Sequence, residues 1–138
     1  MSLPSQVVEA VVAHSRFCAP EEACGLLAID REGKVAMVYC LTNVDRSSTS
    51  FTVDPTEHFH ALRHAERSGW TIGGAFHSHP SSPPVPSRTD VAAALDPTWL
   101  YVIVSLATRQ PEVRSYHIAD GIVSEVVGAV ASPSEVAS

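Results

Sequence analysis

Residues 70–90 read WTIGGAFHSHPSSPPVPSRTD, and this stretch decides how the rest of the chain is read. The first ten of these residues alternate or run apolar, as a central strand does, and on a strand residues two apart share a face. His77 and His79 can therefore present both imidazoles to one point in space. The next segment puts four prolines, Pro80, Pro83, Pro84 and Pro86, within seven residues, which no regular element accommodates. A short helix over 87–95, stopped by Pro97, then brings Asp90 within reach as a third ligand. Two imidazole nitrogens and one carboxylate oxygen, with water in a fourth tetrahedral position, make an open arrangement suited to catalytic zinc. A proline-stiffened loop loses less entropy when it holds two ligand sets in register.

Each fragment also has a plainer reading. A lone His-x-His on a strand is compatible with hydrogen-bonded or surface histidines. Ser87 and Asp90 fit a helix capping box, in which Ser87 caps the amide at Asp90 and Asp90 reaches back. The two readings compete for the Asp90 carboxylate, whereas Ser87 can cap under either.

Working outward, Val7, Val8, Val11, Val12 and Phe17 form one apolar stripe of a helix that Ser5 would cap, with Pro20 beyond its end. Valines weaken helix preference, so packing must stabilise that stripe. Residues 23–29 and 35–41, separated by Asp30-Arg31-Glu32-Gly33, read as an antiparallel strand pair. A polar loop over 43–50 leads to a short extended segment at 51–53. Asp54 and Pro55 then open a helix that ends before Gly69. Strands follow at 100–106, 113–118 and 121–127, the last reached through the Asp120-Gly121 turn. The order implies one α/β domain over 1–131, a mixed sheet flanked by about three helices, with a small polar tail at 132–138.

Composition narrows the function classes. A chain of 138 residues with 45% hydrophobic and 17% charged side chains can bury a core, which excludes disorder. A formal net charge of −6, with Lys34 as the only lysine, argues against nucleic acid or an anionic membrane as the partner. Cys18, Cys24 and Cys40 are too few and too irregular for a disulfide framework, which suits a reducing, cytoplasmic compartment. No apolar run approaches membrane-spanning length, and the first residues do not read as a secretory leader.

The order Glu22, His77-x-His79, seven intervening residues, Ser87, two intervening residues and Asp90 resembles the metal-binding signature of the JAMM (MPN+) metalloprotease family. Glu22-Ala23-Cys24-Gly25 is similar to the family's segment around its catalytic glutamate, and Gly73-Gly74-Ala75-Phe76 to the strand that delivers its histidines. The resemblance spans nearly the whole chain and implies the cytidine deaminase-like MPN architecture. It further implies that His77, His79 and Asp90 ligate one Zn2+ per chain, that Glu22 acts as general base and proton shuttle, and that Ser87 stabilises the oxyanion. Glu21 is the adjacent competitor for the base; neighbouring strand residues face opposite ways, and sequence physics alone leaves that choice open. The metal is likewise open on chemistry alone, since the same trio with more open positions suits non-haem iron.

Residues 20–25 and the run Ser87-Arg88-Thr89-Asp90 look like a small stand-alone bacterial branch of the family. That branch removes a cysteine from the C-terminus of a sulfur-carrier protein, a ubiquitin-like partner, and so completes a cysteine biosynthetic route. The resemblance also implies self-association, with a homodimer as one form. Arg88 could pair with a terminal carboxylate or form an exposed salt bridge. Cys24 reads as a buried, inert thiol rather than a ligand, and Trp70, Phe76 and Trp99 as core, with Trp99 a second candidate for a substrate groove. His58, His60 and His64 read as a solvated or hydrogen-bonded helix face. Two rival functions remain: a non-catalytic scaffold or protein-binding module of the same fold, and a zinc hydrolase of a small amide metabolite.

Overall fold

A computed structural model of the chain describes residues 3–126. The expected tail at 132–138, and Val127 at the end of the last expected strand, lie outside these residues. The described elements are helix α1 (Ser5–Cys18), strands β1 (Cys24–Ile29) and β2 (Val35–Leu41), helix α2 (Pro55–Arg67), strand β3 (Thr71–His79), helix α3 (Arg88–Ala93), and strands β4 (Leu100–Ser105), β5 (Glu112–Ala119) and β6 (Ile122–Glu125). They form a single α/β domain whose six-stranded sheet runs β2-β1-β3-β4-β5-β6. Only β3 and β4 pair in parallel; the connection between them contains the proline-rich loop and α3, and all other neighbours are antiparallel. Among the described residues no helix is long and apolar enough to cross a membrane.

The sheet buries both faces. On one, Val7, Val8, Val11 and Val12 of α1 pack with Leu27, Phe76, Val102 and Val104. That burial supplies what the valine-rich helix lacks in intrinsic preference. On the other, Ala61 of α2 packs with Leu26 and Leu41, and Ile103, Tyr116 and Ile118 form a further cluster under α3. Strand alternation fixes the consequence for the site. Phe76 faces α1 and Ala75 faces α2, so His77 and His79 emerge on the face opposite α1.

Local capping differs from expectation at one end. Ser5 is not the cap of α1: Pro4 holds the N-cap position with φ −59° and ψ 148°, no side chain caps the helix, and Ser5 is its first helical residue. The Pro4 carbonyl accepts from the Val7 and Val8 amides, so the turn is closed by main chain alone. Asp54 caps α2 as expected, accepting from the Thr56 and Glu57 amides, with Pro55 at the first helical position.

Candidate metal centre

Register brings the distant parts together. β1 runs antiparallel to β3 with Cys24 opposite His77, so the residue two before Cys24 falls opposite the residue two after His77. That pair is Glu22 and His79. Glu22 thus shares the face of the histidines and is 5% exposed, whereas Glu21 turns out to Arg46, with its Oε2 3.4 Å from Nε. Of the two glutamates, it is Glu22 that continues the register on the histidines' side, while Glu21 faces Arg46.

His77, His79 and Asp90 each offer one ligand atom to a common point. His77 Nε2 and His79 Nε2 are 3.1 Å apart, and Asp90 Oδ2 lies 3.1 Å from the first and 3.0 Å from the second. Ligands about 2.0 Å from a tetrahedral zinc stand about 3.3 Å from one another, so this triangle matches the edge of such a site. The chemistry of the donors points the same way. His79 Nδ1 is 2.8 Å from the Pro83 carbonyl, a contact that requires its N–H, which leaves Nε2 of the neutral ring with a lone pair. That lone pair converges with a carboxylate oxygen, an arrangement only a cation or a proton stabilises. Burial resists charge on both partners, yet the hydrogen bond and charge of Asp90 raise the pKa of His79, while contacts with His77 and His79 hold Asp90 far below the usual carboxylate range.

The capping and ligand readings of Asp90 prove compatible. Ser87 Oγ accepts from the Asp90 amide at 3.0 Å, and the Ser87 amide donates to Asp90 Oδ2 at 2.9 Å. The cap therefore aims the same oxygen that faces the histidines. Ser87 Oγ only accepts in this box, and among the described residues its hydroxyl hydrogen has no protein acceptor. The proline-rich loop is pinned from beneath: Ser105 Oγ donates to the Ser82 carbonyl at 2.6 Å, and the buried Tyr116 hydroxyl donates to the Pro84 carbonyl.

Glu22 stands near enough to this trio to feel the charges of His79 and Asp90. Its Oε1 is buried with no hydrogen-bond partner. Burial pushes its pKa up to about 7, with the His79 charge pulling down and Asp90 pushing further up.

Two concavities flank these residues. A groove of about 410 Å³ contains His77 and Asp90 and is walled by Phe51, Val53, Trp99 and Tyr101. A larger cleft of about 630 Å³ between α1, α2 and β2 contains Glu21 and Glu22 but none of the three candidate ligands. The smaller groove is the one open to the ligand cluster. Trp99 is half-buried, packing against the Leu26, Leu41 and Ala61 cluster while also lining this groove, so both expectations for it hold; Phe76 is fully buried and Trp70 half-buried.

The remaining candidates behave as follows. Cys24 is fully buried with its thiol pushed up to about 12, first by burial, and is inert. Arg88 is exposed and forms no ion pair among the described residues. His64 Nδ1 contacts the Tyr39 hydroxyl at 2.7 Å, a hydrogen-bonded helix face as expected. Three contributors escape the sequence reading. Phe51 stacks on His77 with ring centroids 4.7 Å apart, and Ser78 and Asn43 brace the main chain around Glu22. Ser78 sits between the two histidines, the one signal that could have drawn attention to it.

Comparisons agree with this geometry. Residues 4–119 match the family model described as prokaryotic homologs of the JAB domain. The CysO-cysteine peptidase of Mycobacterium tuberculosis is 39% identical over 125 residues, covering 88% of this chain and 84% of that protein. A protein from Desulfitobacterium hafniense, solved in solution, superposes with a TM-score of 0.83 at 38% identity, covering 94% of this chain and 90% of its own. A JAB1/MPN domain protein from Archaeoglobus fulgidus shares the fold at a TM-score of 0.63 and 18% identity, over 94% of this chain and 98% of its own. With family model, relatives and fold in agreement, the chain belongs to the JAB1/MPN (JAMM) domain family, in close relation to its CysO-cysteine peptidase branch.

Proposed function

We propose that the protein is a zinc-dependent peptidase that hydrolyses the bond after the C-terminus of a small ubiquitin-like sulfur-carrier protein, releasing cysteine. The observation that carries this reading is the convergence of His77 Nε2, His79 Nε2 and Asp90 Oδ2 within 3.1 Å, with the buried carboxyl of Glu22 beside them. The 39% identity to a CysO-cysteine peptidase supports the substrate class.

In this reading His77, His79 and Asp90 would hold the ion, and Pro83 fixes the His79 tautomer that presents Nε2. Zinc held there would supply positive charge to polarise a carbonyl and to acidify water. Glu22 takes the proton from the attacking water and returns it to the departing amine, and among the described residues its carboxyl carries no hydrogen bond that would have to break first. Ser87 donates its free hydroxyl hydrogen to the oxyanion while its oxygen stays bound to the Asp90 amide. In this reading the carrier's extended tail lies in the groove walled by Phe51, Val53, Trp99 and Tyr101, whose apolar side chains cover the tail on either side of the scissile bond.

The test compares a carrier protein bearing one extra C-terminal cysteine with the isolated tail peptide, each incubated with zinc-loaded protein. The proposal expects release of cysteine, with kcat/KM at least tenfold higher for the folded carrier. Equal efficiency on both would remove the dependence on a folded carrier. Full zinc loading without cleavage of either would favour the scaffold reading.

A further inference from the structure

Glu22 must stand beside His79 with its carboxyl uncommitted, yet it precedes β1 and belongs to no regular element. Its placement comes entirely from main-chain contacts. The Glu22 amide donates to the Ser47 carbonyl at 2.8 Å, and the Glu22 carbonyl accepts from Asn43 Nδ2 at 3.0 Å. The next residue, Ala23, donates its amide to Ser78 Oγ at 2.7 Å and accepts from the Ser78 amide at 3.0 Å. Four hydrogen bonds thus fix two residues, and none uses the carboxylate.

Both bracing side chains are buried, Ser78 fully and Asn43 to 8% exposure, and neither is a candidate ligand or proton carrier. At Ala23 the amide acceptor is a side-chain oxygen from the residue between the two histidines, so the brace and the ligands ride on one strand. Asn43 is saturated. Its Nδ2 also donates to the Ser50 carbonyl, and its Oδ1 accepts from the Asp45 and Thr52 amides. One amide group therefore joins the Glu22 carbonyl to the loop that carries Phe51 onto His77.

We propose that Ser78 and Asn43 are positioning residues for Glu22, clamping its main chain from two sides so that its carboxyl stays free and registered on the candidate metal centre. This rests on the reading of Glu22 as the proton acceptor. Catalytic groups displaced by about 1 Å lose rate on the order of 10²-fold, so loosening the clamp should affect kcat rather than substrate binding.

Steady-state cleavage of the carrier-cysteine adduct by zinc-loaded enzyme, over a range of adduct concentrations, is measured for Ser78→Ala, Glu22→Ala and the double variant. The clamp predicts that Ser78→Ala lowers kcat about tenfold or more, with KM and zinc stoichiometry unchanged, and causes no further loss in the Glu22→Ala background. Asn43→Asp keeps both acceptor contacts but replaces the donors to Glu22 and Ser50 with a carboxylate oxygen; the same pattern is expected, and this variant carries the test should Ser78→Ala not fold. In the zinc-free protein, the Ala23 amide should exchange with solvent at least tenfold faster in Ser78→Ala, relative to the β1 amides. An equal loss of kcat in both backgrounds, or an unchanged kcat, overturns the clamp alone. A Glu22→Ala protein with undiminished turnover overturns the proton-acceptor reading and the clamp with it.

Discussion

Replacing Ser87 separates its observed role as a helix cap from its proposed role at the oxyanion. Ser87 Oγ accepts from the Asp90 amide at 3.0 Å, which caps α3, and in the proposed mechanism the same hydroxyl donates to the oxyanion. Loss of the cap costs about 1 kcal/mol of stability when the substitute is alanine and a few tenths when it is glycine. Loss of an oxyanion donor costs about 3 kcal/mol in the transition state, which at 1.36 kcal/mol per decade is roughly a 10²-fold fall in kcat. Ser87→Gly should therefore unfold within about 2 °C of the parent and yet turn over roughly 10²-fold more slowly. Ser87→Ala should lose a similar amount of rate with a larger drop in melting temperature, and Ser87→Thr, which keeps cap and donor, should stay within about fivefold of the parent. Zinc content is measured alongside, because the Ser87 amide also holds Asp90 Oδ2 and that contact survives all three changes. A fully zinc-loaded Ser87→Gly protein that turns over at the parent rate would refute the oxyanion role. A loss of rate that tracks zinc loss would show instead that the residue acts through the Asp90 ligand.

Further predictions concern stability. In the zinc-free protein, Glu22 binds its proton more tightly when folded, with a pKa raised from 4.5 to about 7, so the folded state holds more protons between those values and stability falls as pH rises across them. The full difference is about 3 kcal/mol, and Glu22→Gln should recover most of it at pH 8 and little at pH 4, as read by urea unfolding in chelator. A Cβ at Gly25 would stand 2.1 Å from the Tyr39 carbonyl oxygen and 2.2 Å from the fully buried Phe76 ring. Gly25→Ala should cost about 3 kcal/mol or more, whereas Gly33→Ala, at φ +80° in open space, should cost about 1 kcal/mol; denaturant midpoints compare them. Tyr116→Phe leaves the Pro84 carbonyl unpaired beneath the loop whose Pro83 carbonyl orients His79, so zinc affinity measured by chelator competition should fall several-fold, with helix and strand content unchanged.

The elements of this fold were legible because their signals are local. The two-residue period at His77 and His79, the cap at Asp54 and the turn at Asp120 and Gly121 depend on residues close in sequence, and the described strands match expectation to within a residue or two. Strand order was not legible, since nothing local says that β3 lies between β1 and β4. That non-local fact is what puts Glu22 rather than Glu21 on the histidines' side, since continuing the Cys24–His77 register by two residues brings Glu22 level with His79. The capping box and the ligand set looked like competitors for Asp90, but geometry lets Oδ2 accept from the Ser87 amide and still face both histidines. Ser5 was misplaced by one residue because Pro4, whose fixed φ suits the end of a helix, closes the first turn with its carbonyl and leaves no place for a side-chain cap. The clamp on Glu22 was invisible because Asn43 and Ser78 lie 21 and 55 residues from the groups they hold.

Zinc stoichiometry of the freshly purified protein, measured by elemental analysis beside His77→Ala and Asp90→Asn, tests the central claim most directly. The account predicts about one zinc per chain in the parent and loss of the ion in both variants, each still folded, since the three atoms within 3.1 Å act as one set. A folded parent protein that takes up no added zinc, or variants that retain it in full, would contradict the metal centre and with it the proposed hydrolysis.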